Sequence, residues 1–209
     1  MAHELPDPRR TALLIVDLQN DFLAPDGAYA RGGATSARAL ELPERVAAVA
    51  RLLKQVGGLV VGSQFTLWPD AAGEPMIAPH LLALRPFLRR GDFAPGSRGQ
   101  AHVDAIAPWV DVSVSKVAYS AFFNTQLDWV LRHAGIDTVA VCGIVTNGGV
   151  ASTVRDAHMR EYHAIVLEDG CAAFSDAVHA ASIADLRTVS RIDTCAGFSA
   201  ALREAAGPA

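Results

Sequence analysis

The chain has 209 residues, 51% of them hydrophobic, and a formal net charge of −4. That length suits one α/β domain closed around one core, and no run approaches the roughly 20 apolar residues of a membrane span. The charges of both signs are scattered rather than gathered into the basic face that nucleic-acid binding requires. The cysteines, Cys142, Cys171 and Cys195, form no CxxC pair and no even framework, which argues against a disulfide scaffold and reads as small buried residues.

The N-terminus, MAHELPDPRR, has no apolar stretch after its charges and no small-residue cleavage site, so no secretory signal is expected and the location reads as cytoplasmic. Thr11 to Asp17 (TALLIVD) is a short continuous apolar run ending in an acid, the pattern of a strand buried on both faces of a parallel sheet. Leu42, Val46, Val49, Leu52, Leu53 and Val56 recur at three- and four-residue spacing before Gly57-Gly58, which predicts an amphipathic helix with a glycine stop. Gly58 to Phe65 (GLVVGSQF) gives a second buried strand. Thr66 to Gly99 then forms a long proline-rich excursion of little periodicity, the kind of segment that builds a lid or pocket wall.

Asp111 to Lys116 (DVSVSK) alternates like a third strand, and Thr125 to Ala134 predicts a helix ended by Gly135. Thr138 to Cys142 (TVAVC) is a fourth strand, followed by the Gly143 to Asn147 turn and a helix to about Glu161. Ala164 to Leu167 reads as a fifth strand, Asp176 to Thr188 as a helix, and Val189 to Thr194 as a short sixth strand before a final helix. Strand and helix alternating at this pitch predict a three-layer α/β/α domain spanning residues 1–209, with a six-stranded parallel sheet of Rossmann-like topology.

Ligands of such sheets bind beyond the carboxyl ends of the strands, where connections leave in opposite directions. Asp17 ends the first strand, Lys116 ends the third, and Gly143 to Gly149 follows the fourth. A lone acid or base at a strand end is ordinarily a solvated residue or a helix cap. Asp17 is less ordinary, because a charge set directly after LLIV must be paired or used, and Lys116 is its expected partner.

Three segments together carry a family resemblance: DLQNDFL at Asp17 to Leu23, SKVAYSAFFNT around Lys116, and CGIVTNGGVASTVRDA from Cys142. In this order and spacing the chain resembles the isochorismatase-like cysteine hydrolases from Thr11 to about Cys195. The resemblance implies that Asp17 and Lys116 are catalytic, and that Val145, Thr146, Gly148, Phe22, Tyr119 and Phe123 line the substrate site. It also implies a non-proline cis peptide at Val145-Thr146 or its neighbour, an oxyanion pocket of backbone amides, a small-molecule substrate, and a homodimer or homotetramer. No metal and no cofactor is implied, since Thr66 to Asp70 lacks the histidine of the metal-binding members.

One position departs from the family. Its loop GVATNVCV aligns with GIVTNGGV here, which puts Gly149 at the nucleophile, and glycine cannot form an acyl-enzyme. Members that hydrolyse vinyl ethers also carry glycine there, with the aspartate as general acid, and on that reading excursion arginines such as Arg85 or Arg90 hold carboxylates. Yet Ile144 to Asn147 and YSAFFNT resemble the branch that hydrolyses ureido and carbamoyl compounds. The sequence therefore leaves open a thiol-free hydrolase, of vinyl-ether or water-mediated type, and an amidase scaffold that binds a small molecule without turnover.

Overall fold

The structure is a computed structural model that describes residues 7–207. The stretch from Met1 to Pro6, read above against a secretory signal, lies outside the described residues. Six parallel strands form one sheet: β1 (Thr11–Val16), β2 (Leu59–Phe65), β3 (Val112–Lys116), β4 (Thr138–Ile144), β5 (His163–Ala172) and β6 (Arg191–Asp193). Their order across the sheet is β3-β2-β1-β4-β5-β6. The chain winds one way from β1 and the other way from β4. Right-handed crossovers then put the connecting helices on opposite faces.

The main helices are α1 (Leu42–Gln55), α2 (Leu127–His133), α3 (Ala151–Met159), α4 (Asp176–Leu186) and α5 (Cys195–Ala206). α1 packs on α5 and α3 packs on α4, as two layers flanking a sheet require. Every residue of β1 and β4 is buried, which is why both read as unbroken apolar runs rather than alternating ones. α1 follows its spacing, with Leu42, Val46, Val49 and Leu53 in the core and Leu52 only partly covered. Among the described residues no helix is long and apolar enough to cross a membrane.

Two element boundaries differ from the sequence reading for a shared reason. β4 runs on to Ile144 and β5 to Ala172, because after a shift in register between Val141 and Gly143 the two strands pair again, Gly143 with Cys171 and Ile144 with Ala172. Glu168, Asp169 and Gly170 thus lie within a strand although they read as a loop. Gly143 also pairs with Val16 of β1, at φ +114°, and a Cβ there would stand 2.1 Å from the Val16 carbonyl oxygen. Only glycine lets β1 and β4 approach so closely at the switch point.

The excursion is not a loose loop. Leu67, Leu88 and Phe93 join Ala28 and Tyr29 in a second hydrophobic cluster, backed by Phe22, Phe65 and Phe87. Its return leg is tied to the segment after β1 by Asn20 N–H to Ala101 O, Asp21 N–H to Gly99 O, and the amides of Ala28 and Phe93, which donate to the Asp21 carboxylate. His102 on this leg lies over Gly62 of β2, with Nε2 3.2 Å from Ser113 Oγ and Nδ1 without a partner.

Burial holds the His102 imidazole down to about pKa 4. A histidine depressed in the folded state leaves stability intact above the unfolded value near 6.5, and that stability is lost as pH falls toward 4. The loss is expected to total about 3 kcal/mol. Urea midpoints at pH 7 and pH 4 should therefore differ more in the wild type than in His102→Gln, and equal differences would remove His102 from the account.

Candidate active site

The site forms where the sheet reverses direction, between β1 and β4. β1 ends at Val16, and Asp17 turns the chain away at φ 55°, a left-handed conformation that few side chains adopt but that aspartate takes more readily than most. Here the Asp17 amide donates to Ser63 O and its carbonyl accepts from Gln19 N–H. Gln19 is clamped in turn: its side-chain amide donates to Phe65 O and Gln100 O and accepts from Phe65 N–H. The DLQ segment is thus locked to β2 and to the excursion through one glutamine.

Asp17 and Lys116 meet, but not across neighbouring strands. β2 lies between β1 and β3, and the Lys116 side chain passes over its end, with Nζ 5.6 Å from the centre of the Phe65 ring, to reach Asp17 Oδ2 at 2.7 Å. Lys116 Nζ also donates to Ala118 O, and Ser63 Oγ donates to Asp17 Oδ1. Asp17 is 4% and Lys116 2% exposed, so the pair is removed from bulk water. Burial raises the Asp17 pKa above the ordinary aspartate value, and the Lys116 charge with the Lys116 and Ser63 hydrogen bonds offsets this only in part. A carboxyl group held in this way gives up its proton less readily than an ordinary aspartate and can serve as a proton acceptor and donor.

The third element is the turn after β4. The peptide between Ile144 and Val145 is cis, the neighbour of the Val145-Thr146 bond named from the family pattern. Thr146–Val150 then form one wide π-type turn before α3 begins at Ala151, where the sequence suggested a simple α-helical start. Gly149 lies buried in this turn, and a Cβ built on it would stand 3.3 Å from Asp17 Oδ2, 3.2 Å from Ile144 O and 2.9 Å from Val16 Cγ1. A side chain at position 149 would therefore begin beside the carboxylate, with the Val16 methyl closer still. The expected oxyanion amides are partly engaged elsewhere, since Gly148 N–H and Val150 N–H both donate to Val145 O, at 2.9 and 3.3 Å.

The other residues named from the sequence are placed unevenly. A Cβ on Gly148 would touch the Tyr119 ring at 3.3 Å, so Tyr119, half exposed, covers the turn. Val145 is partly buried beside it. Thr146 is fully buried, and its hydroxyl lies 2.8 Å from His179 Nδ1 on α4. Phe22 packs its ring 4.5 Å from that of Tyr29 and 4.7 Å from that of Phe93. Phe123 is exposed, 52% of its surface open to solvent. Of the two arginines, Arg90 lies against Gly73, whereas Arg85 reaches the site, donating from Nε to Tyr29 OH at 2.9 Å and from Nη2 to Tyr119 OH at 2.7 Å.

Sequence reasoning missed Ser63, His179 and Tyr29. Ser63 occupies a strand position that alternation treats as core filler, and His179 and Tyr29 belong to no motif. The cysteines offer no replacement nucleophile. All three are buried free thiols, and burial pushes Cys142 and Cys195 well above the usual thiol range and Cys171 up to about 12. Among the described residues no three His, Cys, Asp or Glu side chains cluster as a metal site would need.

Comparison with known proteins gives this arrangement its class, a hydrolase built on a three-layer α/β sheet. The chain belongs to the isochorismatase family, whose isochorismatase domain matches residues 11–196. It is similar to the ureidoacrylate amidohydrolase RutB of Caulobacter vibrioides, 34% identical over 194 residues that cover 87% of this chain and 86% of that protein. The Methylobacterium radiotolerans protein of the same name is 33% identical, covering 94% of this chain and 81% of its own length. Among solved structures, a cysteine hydrolase from Pseudomonas syringae pv. phaseolicola superposes with a TM-score of 0.83 at 27% identity, covering 98% of this chain and all of that one. N-carbamoylsarcosine amidase from Thermoplasma acidophilum gives 0.71 at 27% identity, covering 89% and 96%.

Proposed function

We propose that the protein hydrolyses a C–N bond of a small ureido or amide compound with water, rather than a thiol, as the nucleophile. The observation that carries this reading is the glycine at 149, whose Cβ position lies 3.3 Å from Asp17 Oδ2 and which supplies no side chain there. A water donating to Oδ2 from that side would attack the carbonyl carbon while Asp17 takes its proton. The tetrahedral intermediate would collapse by breaking the C–N bond, with the same proton passing from Asp17 to the leaving nitrogen. Lys116 would keep Asp17 ionised at the start and hold it in place throughout.

The relatives speak for C–N cleavage and against the vinyl-ether alternative. The matching relatives are named as amidohydrolases, and a structural neighbour is named as a carbamoyl amidase. Binding without turnover is the second reading, and Val16 favours it: a methyl 2.9 Å from the Cβ position narrows the space at 149.

The test is ammonia release from ureidoacrylate and from a panel of small amides, with the wild type and with Gly149→Cys. Turnover by the wild type is expected, and Gly149→Cys should add an iodoacetamide-sensitive activity, limited by how far Val16 can yield. Substrate binding with no turnover by the wild type would select the second reading.

A further inference from the structure

His179 is a polar residue on an apolar stripe. In α4 the buried positions His179, Ile183 and Leu186 follow one another at steps of four and three, the spacing of the face that a helix turns to its core. An imidazole placed there must find hydrogen-bond partners. It has one on each nitrogen. Nδ1 lies 2.8 Å from the Thr146 hydroxyl, and Nε2 lies 3.5 Å from Nη1 of Arg38, on the short helix Ala37–Leu40.

These contacts fix where the imidazole proton sits. A guanidinium only donates, so Nε2 accepts from Arg38, and the ring proton is left on Nδ1, from which it donates to Thr146 Oγ1. The reverse tautomer would set an Nε2–H against an Arg38 N–H. Burial, and after it the Arg38 charge, holds His179 below the ordinary histidine value, which keeps the ring neutral. Arg38 is steadied in turn by Asp176, Nε to Oδ1 at 3.3 Å, and with His179, Glu168, Asp169 and Arg187 it lines a cavity of about 450 Å3.

Thr146 opens the π-type turn that carries Gly149 to within reach of Asp17. The far end of that turn is gripped locally, by Thr153 Oγ1, which donates to Gly149 O at 2.7 Å and accepts from Ala121 N–H at 3.0 Å. The near end is gripped from α4, through His179. We propose that His179 is a positioning residue for the active-site turn: with its tautomer set by Arg38, it anchors Thr146 and so keeps Gly148 and Gly149 in place beside Asp17. It acts through Thr146 and touches no reacting atom. Its effect on rate rests on the C–N hydrolase reading above, whereas the anchor itself does not.

The test joins hydrogen–nitrogen NMR spectra of the imidazole rings with amide exchange and kinetics, for the wild type, Arg38→Met, His179→Leu and His179→Asn. The wild-type His179 should carry its proton on Nδ1, and Arg38→Met should shift part of it to Nε2. His179→Leu should speed exchange of the Gly148 and Val150 amides about 10-fold, and lower kcat on ureidoacrylate about 10- to 100-fold with KM little changed. His179→Asn, whose side-chain nitrogen replaces Nδ1 as donor, should recover most of both. A wild-type proton on Nε2, no shift in Arg38→Met, or asparagine no better than leucine would overturn the assignment. Faster exchange with an unchanged kcat would make the contact structural only and overturn it as well. The expected spectra and exchange without turnover by any variant keep the anchor and discard hydrolysis; turnover with equal exchange and kcat throughout keeps hydrolysis and discards the anchor.

Discussion

Replacing Asp17 with asparagine is expected to lower kcat/KM on a ureido or amide substrate by about 100- to 10,000-fold, the range that a positioned acid–base group supplies. Asparagine keeps the shape and an oxygen to accept from Ser63 Oγ, so circular dichroism should show a folded protein. What it loses is the ability to take a proton from water and return it to nitrogen. The wild-type rate should also fall as pH drops through the Asp17 pKa, at a pH above the ordinary carboxylate range because burial raises that group. Substantial activity in the asparagine variant would take the proton transfer away from Asp17.

Lys116→Met should have the largest effect on stability. It leaves the Asp17 carboxylate buried with only Ser63 as a side-chain partner, and breaking a buried pair in this way costs about 3–5 kcal/mol. The sign of its pH dependence follows. A carboxyl group raised in the folded state favours folding below its unfolded value near 3.8, and that contribution is lost as pH rises through the folded value. The variant should therefore be most deficient at neutral pH and recover toward the wild type in acid, where protonation removes the stranded charge. Asp17→Asn/Lys116→Met should be more stable at pH 7 than Lys116→Met alone, measured by urea unfolding. Additive losses would mean that the two side chains are not energetically coupled.

The fold was legible because β1 and β4 are buried on both faces and because glycine and proline mark the ends of the intervening elements. The site was legible as a list of residues rather than as a geometry. The short apolar run before Asp17 announced a buried acid, and Lys116 followed at a strand end. The strand order was not legible: β2 lies between the strands that carry the pair, and a long lysine side chain crosses its end to make the contact. Periodicity could not show that Tyr29 and Arg85, 56 residues apart, share a hydrogen bond, since both lie in irregular backbone where only tertiary packing decides position. The second register of β4 with β5 was hidden for a related reason, because Glu168 and Asp169 are polar residues admitted to a strand by its pairing rather than by its pattern.

The most direct test of thiol-free catalysis is intact-mass measurement of acid-quenched protein during turnover of ureidoacrylate. Product should accumulate with the wild-type chain remaining at its unmodified mass, while Gly149→Cys should carry a carbamoyl adduct on the introduced sulfur. A covalent adduct on Cys142, Cys171 or Cys195 of the wild type, or no product at all, would contradict water attack directed by Asp17.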